Sequence, residues 1–246
     1  MDTQVIILAG GKGKRMNAEQ PKVLNELAGR TFLDRVLNAV EPISLRPTII
    51  VGYKANEVIR ATGNRYRYVL QQEQRGTAHA VMCARKNLEG EHVKTLMVLN
   101  GDHPLVTRDT IKKIIKSHQE SGMPVTIGST IVANLEGDFA LFADFGRVVR
   151  DAGGRVERIV EVKDATDAEK TILEVNLNYY CFQPQWLWNH IDSIKDDNKA
   201  GEYYLTDIVK IARRNNDSVN AFVIGNPVEG MGVNSPEQLE IVKKYA

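Results

Sequence analysis

Short apolar runs rich in β-branched residues alternate with amphipathic stretches through the first half of this chain, and that alternation restricts the fold more than any other feature. Residues 5–8, Val5-Ile6-Ile7-Leu8, are apolar on both faces and too few for a helix, so they read as a buried strand. Thr31 then opens a helix with Phe32, Leu33, Val36, Leu37 and Val40 on its apolar face and Asp34 in the capping-box position. The pattern repeats with a strand over Thr48–Val51, a helix over 55–61 and a strand over 68–70. A helix carrying Ala78, Val81, Met82 and Leu88 follows, with Thr77 as its expected cap. A strand over 96–99 leads to a helix capped by Thr107 and bearing Ile111, Ile114 and Ile115. This predicts an α/β fold: three layers around a Rossmann-like, mostly parallel sheet with right-handed crossovers. Ligands of such sheets bind beyond the carboxyl ends of the strands.

The second half changes character. Strands are expected over 125–132, 140–145, 174–182 and 219–224. A hairpin is expected to turn at Gly153-Gly154, between Val148-Val149 and residues 156–160. Helices are expected near 185–194 and 204–214, and a last one is capped by Ser235, with Pro236 first and Gln238 completing a box. Repeats, low-complexity tracts and long linkers are absent. Residues 1–246 therefore read as one domain, whose second half builds a smaller β subregion and returns to the sheet.

Lysines and arginines number 32 against 31 acidic residues, a formal net charge of +1. That balance argues against a general nucleic-acid binder, so any phosphate ligand must be held by local charge. Cys83 and Cys181 match no metal-ligand spacing and read as buried thiols of a reducing compartment. The apolar run at 5–8 follows Asp2 without a basic flank, and no stretch approaches the ~20 apolar residues of a membrane helix. A soluble, cytoplasmic protein without a membrane partner is the expectation.

The loop after the first strand, Ala9-Gly10-Gly11-Lys12-Gly13-Lys14-Arg15-Met16, carries the strongest chemical signal. Glycines let backbone N–H groups approach a polyanion, and Lys12, Lys14, Arg15 and Lys22 place four cations nearby. Phosphate binding is favoured over a solvated turn. It is not a P-loop, because Leu8 and Arg15 stand where Gly and Ser or Thr are required; nor is it a dinucleotide fingerprint, because Met16 stands at the third glycine position. Asp102 follows a strand and a glycine, which suits either a magnesium ligand or a turn aspartate, and the residue alone leaves both open. Asn234 is a weaker metal candidate. Gln71, Gln74, Gly76 and Thr77 could read a base edge or form an ordinary capped loop. Glu161, Asp164, Asn176 and Glu202-Tyr203-Tyr204 suit sugar hydroxyls and ring faces, though each alone also suits surface or packing. The histidines, His79 and His103 among them, read as structural, and Asp151 and Asp167 as solvated.

With these residues in view, the chain resembles the sugar nucleotidyltransferases. Within them it is most similar to the uridylyltransferase domain of the bacterial bifunctional N-acetylglucosamine-1-phosphate uridyltransferase/glucosamine-1-phosphate acetyltransferases. The likeness runs over essentially the whole chain. It rests on Leu8-Ala9-Gly10-Gly11-x-Gly13-x-Arg15-Met16, Pro21-Lys22-Val23-Leu24, Gln74-x-Gly76-Thr77-Ala78-His79-Ala80, Gly101-Asp102-x-Pro104-Leu105, Ile159-Val160-Glu161-x-Lys163-Asp164-Ala165, Gly201-Glu202-Tyr203-Tyr204-Leu205-Thr206-Asp207 and Gly232-Val233-Asn234. The resemblance implies that residues 1–120 bind the nucleotide and 121–246 the sugar. It implies that Leu8, Ala9, Gly10, Gly11, Gly13 and Gly101 line the nucleotide while Gln71, Gln74, Gly76 and Thr77 read uracil. Arg15 and Lys22 would hold phosphates as catalytic residues, Asp102 and Asn234 would bind Mg²⁺, and Gly146, Glu161 and Asn176 would contact an amino sugar.

The implied reaction joins UTP to N-acetylglucosamine 1-phosphate and releases pyrophosphate. Three positions depart from the family pattern: Lys14 for Thr, Asn100 for an aromatic residue, and Leu177-Asn178 for Thr-Gly. The last two leave glucose 1-phosphate or dTTP open as substrates, and a non-catalytic UDP-sugar-binding module is the alternative of another class. A glycosyltransferase fits less well, since no Asp-x-Asp pair follows a strand. The likeness includes none of the acetyltransferase half, a left-handed β-helix, so no acetyl transfer is expected. The family's trimer is built largely by that half, which leaves a monomer as the expectation.

Overall fold

The computed structural model describes residues 2–16, 19–44 and 46–246, without the side chain of Lys14. The first strand, β1 (Thr3–Ala9), pairs in parallel with β4 (Thr48–Val51) on one side and β6 (Thr95–Asn100) on the other. Between β1 and β4 lie a two-residue hairpin, β2 (Glu26–Leu27) and β3 (Arg30–Thr31), and the helix α1 (Phe32–Val40). The chain continues through α2 (Ala55–Thr62), β5 (Arg67–Leu70) and α3 (Thr77–Leu88) to β6, then through α4 (Arg108–Ser121) to β7 (Val125–Ile131). The second half adds β8 (Arg147–Arg150), β9 (Val156–Val160), the short α5 (Asp167–Lys170), β10 (Glu174–Phe182), α6 (Pro184–His190), α7 (Ile208–Arg214), β11 (Val219–Val223) and α8 (Pro236–Lys243).

The main sheet runs β11-β7-β10-β6-β1-β4-β5, with β8 joined to β10 and β9 to β8. Only β10 opposes its neighbours in this path; it pairs antiparallel with both β6 and β7. The sheet divides two apolar layers. Val5, Ile7 and Ala9 of β1 enter the layer holding α1 and α4, whereas Ile6 enters the layer with α3, α6 and α7. A period of two on a strand produces this split. Because α1 and α3 cover opposite faces, the order of crossovers reverses at β1 and β6, and the crevice beyond their carboxyl ends is the topological switch point. Among the described residues, no helix is long and apolar enough to cross a membrane.

Several expectations need correction. Residues 140–145 form no strand; Gly137–Asp144 coils as a 3-10 segment with Leu141 and Phe142 both buried. Gly137 at φ +54° breaks any extended entry, and at the far end Phe145 N–H donates back to Phe142 O at 3.1 Å, which closes a turn and not a strand ladder. Thr77 is the first helical residue of α3, and Gly76 occupies the cap. The Thr77 hydroxyl accepts instead from Leu205 N–H at 2.9 Å, a tertiary contact that outcompetes local capping. Ser235 does cap α8, but the Gln238 side chain accepts from Asn234 N–H at 2.7 Å and not from its cap. Cys83 is only half-buried, although Cys181 is fully buried and both are free thiols. Asp151 is not simply solvated: it accepts from Gly153 and Arg155 N–H and organises the turn between β8 and β9.

Candidate active site

A cleft of about 420 Å³ opens at the switch point. Its floor begins where β1 ends, at Leu8, Ala9, Gly10 and Gly11. Gly13 lies behind the wall, at φ +61°, and a Cβ there would sit 2.7 Å from Cβ of Lys22. Its lack of a side chain therefore gives Lys22 room to pass. Pro21 leads into a 3-10 turn in which Val23 is buried, and this anchors the base of Lys22.

The Lys22 ammonium donates to the carboxylate of Asp102 and, at 2.8 Å, to Oδ1 of Asn234. Two oxygens from segments far apart in the chain thus converge on one cation. Asp102 is held by the end of β6, and its carbonyl accepts from Val233 N–H at 3.0 Å, which couples the two oxygen-bearing loops directly. Gly101 is not in the cleft wall; its N–H donates to Leu8 O at 2.9 Å and ties β6 to β1. Burial pushes the Asp102 carboxyl up, but the Lys22 ammonium and local hydrogen bonds outweigh it, and the carboxyl lies below its ordinary value. Asp102 is therefore ionised at neutral pH.

Behind Asp102 runs a buried polar strut. Tyr179 O–H donates to the carbonyl of Glu229 at 2.8 Å, so its oxygen accepts from Nδ1 of His103 at 3.1 Å. This fixes the neutral His103 ring as the Nδ1–H tautomer. Burial depresses its pKa to about 4. The strut joins the Asp102 turn to the loop that leads to Asn234.

Arg15 projects from the turn Lys14–Met16 and pairs with Asp144, which arrives from the 3-10 segment of the second half. Both are substantially exposed at the mouth of the cleft, so the pair is exchangeable. On the far side of the floor, Gln71 is buried and donates to the carbonyl of Gly76 at 3.1 Å, and Gln74 donates to the carbonyl of Gln71 at 3.1 Å. Gly76 has φ +110°, and a Cβ there would lie 2.5 Å from the carbonyl oxygen of Tyr203. Only glycine permits that close approach, which seats the glutamine loop against a segment of the second half.

Gly146 and Glu161 form the opposite wall, at the start of β8 and the end of β9. Burial holds the Glu161 carboxyl above its ordinary value, reinforced by Asp207, Asp164 and Glu202, while a hydrogen bond from Thr206 at 3.1 Å opposes the rise. Asn176 is fully buried and stands behind this wall; Asn178 is in it. Of the residues singled out from sequence, Arg15, Lys22, Asp102, Asn234, Gln71, Gln74, Gly76, Thr77, Gly146 and Glu161 share the cleft, while Gly13, Gly101 and Asn176 support it from behind. Sequence reading missed Asp144, His103 and Asn178 as wall residues. Of these, His103 carried a signal in its place beside Asp102, and Asn178 in its departure from the family pattern.

One carboxylate and one amide oxygen facing a single cation fit Mg²⁺, which takes few protein oxygens and completes its shell with water and substrate phosphate. Among the described residues, no three His, Cys, Asp or Glu side chains cluster as a metal site.

Residues 5–170 match the MobA-like NTP transferase domain. The chain is 42% identical over 246 residues, its whole length, to the Bifunctional protein GlmU of Pelotomaculum thermopropionicum, covering 52% of that protein. It is 40% identical over 95% of its length to the GlmU of Heliobacterium modesticaldum, covering 50%. It is 41% identical over 93% of its length to the GlmU of Streptococcus suis, covering 48%. It thus spans about half the length of the curated relatives it matches. The match begins in β1, contains the glycine loop and Asp102, and reaches α5 beyond Glu161; the chain belongs to the family of MobA-like NTP transferase domains.

Proposed function

We infer that the chain is a sugar-1-phosphate nucleotidyltransferase that forms UDP-N-acetylglucosamine and pyrophosphate from UTP and N-acetylglucosamine 1-phosphate. The observation that carries this reading is the shared grip of Asp102 and Asn234 on the Lys22 ammonium at the mouth of the glycine loop. A nucleotide triphosphate laid over Leu8, Ala9, Gly10 and Gly11, with Gly13 and Gly101 shaping the loop from behind, would bring its phosphates to Arg15 and Lys22. Gln71, Gln74, Gly76 and Thr77 would read the base. Gly146 and Glu161 would form the sugar end, with Asn176 supporting it from behind.

The sugar phosphate oxygen attacks the α-phosphorus, the bond from that phosphorus to the bridging β-phosphate oxygen breaks, and pyrophosphate leaves with the electron pair. The nucleophile is already an anion, so no general base is required. The task is to align two polyanions and neutralise their repulsion. Arg15 exchanges Asp144 for the pyrophosphate and stabilises charge as it builds there. Lys22 leaves the Asp102–Asn234 pair and steadies the α-phosphate. Asp102 and Asn234 would hold Mg²⁺, which would supply charge neutralisation to the substrate phosphates.

A pyrophosphate-release assay with UTP, Mg²⁺ and N-acetylglucosamine 1-phosphate tests the reading. Release is expected with this pair above glucose 1-phosphate or dTTP. Preference for either of those would keep the chemistry and change the substrate. Tight UDP-sugar binding with no release from any pair would make the chain a binding module.

A further inference from the structure

The bulge in β10 turns a side chain into the cleft. Pairing with β7 runs Asn176 to Ser129 and then resumes Tyr179 to Gly128, so two residues of β10, Leu177 and Asn178, have no partner across the ladder. Leu177 turns into the core, where a Cβ on Gly230 would lie 2.5 Å from its methyl groups. Asn178 turns the other way and joins the lining of the cleft that Gly146 and Glu161 also line. It sits at φ +57°, a conformation that asparagine tolerates better than other side-chain-bearing residues.

We propose that Asn178 is a specificity-determining residue whose side-chain amide donates to an oxygen of the sugar. Its Oδ1 accepts from Nδ2 of Asn176 at 2.8 Å, which fixes the plane of the amide. Its own Nδ2 has no protein partner among the described residues. The polar group left to a ligand is therefore a pair of N–H donors, in the same cleft as the carboxylate of Glu161. A donor beside an acceptor suits neighbouring oxygens and hydroxyls of a hexose. Asn176 is fully buried, and its part is to hold Asn178 in place. The inference rests on the sugar-nucleotide reading above, and its test is independent of turnover.

Asn178→Gly removes the amide and keeps the backbone at ease in the left-handed region. Asn178→Asp replaces the donors with a second carboxylate near Glu161. Calorimetry would measure the affinity of each protein for UDP-N-acetylglucosamine, UDP-glucose and UDP. The wild type is expected to bind at least one UDP-sugar more tightly than UDP. Asn178→Gly should lose about tenfold of that gain, the scale of one hydrogen bond, with UDP affinity and melting temperature maintained. Asn178→Asp should lose as much or more. An unchanged ratio of UDP-sugar to UDP affinity in both variants would overturn the proposal, as would a wild type that gains nothing from the sugar. Failure of pyrophosphate release with the ratio still sensitive to position 178 would remove the catalytic reading alone.

Discussion

Lys22 and the proposed metal claim the same two oxygens, and that competition makes an unusual prediction. Lys22→Ala should lower turnover about a hundredfold, the scale of one lost preorganised charge. It should also raise the affinity for Mn²⁺ measured by electron paramagnetic resonance without nucleotide, because the ammonium no longer occupies Asp102 and Asn234. Weaker Mn²⁺ binding in that variant would separate the oxygen pair from the metal. Arg15 is exposed and, among the described residues, paired only with Asp144, so Arg15→Ala should leave thermal stability within about 0.5 kcal/mol of wild type. Its turnover should fall a hundredfold or more. Near-normal pyrophosphate release would remove Arg15 from the mechanism.

At the scale of elements, the strut through His103, Tyr179 and Glu229 ties β10 to both oxygen-bearing loops. Tyr179→Phe leaves the His103 N–H and the Glu229 carbonyl without their partner, a cost of about 1–3 kcal/mol. It should also raise the Mg²⁺ concentration for half-maximal activity about tenfold, since groups behind metal ligands set their aim. A magnesium titration and Mn²⁺ binding would check this; lost stability with an unchanged metal requirement would reduce the strut to packing. The elements that build this region were unequally legible. The parallel strands of the first half announce themselves through short β-branched runs, and the glycine loop and Asp102 each follow such a run. The segment 140–145 does not, because Leu141 and Phe142 are adjacent and carry no period that separates coil from pleat. Thr77 looked like a cap because the contact that claims its hydroxyl, Leu205 N–H, comes from a distant part of the chain. Asp144 and Asn178 reach the cleft through a 3-10 segment and a bulge, neither of which leaves a mark on residue spacing.

For the whole molecule, burial of histidine shapes the response to acid. His118 is buried between α4 and the sheet, bonded to Thr126 at 2.9 Å, and burial depresses its pKa to about 4. The unfolded chain takes up that proton near pH 6.5, whereas the native protein resists until about pH 4, so stability falls as pH drops through this window. The loss from this one group reaches about 3 kcal/mol by pH 4. Denaturant midpoints at pH 7 and pH 4.5 should differ less for His118→Gln than for wild type; equal differences would assign the acid sensitivity elsewhere. His103 acts in the same direction and leaves the variant part of the slope. The reversed strand β10 has a further consequence. It lies between β6 of the first half and β7 of the second, and its beginning, not its end, faces the cleft. The two halves are therefore stitched together by a strand that also bears the proposed sugar wall. Recombining this nucleotide half with the sugar half of a relative at residue 120 would import a foreign β10 into the native interface with β6. A chimera that changes sugar preference must carry matched β6 and β10 surfaces, so substrate choice and sheet assembly are inherited as one unit.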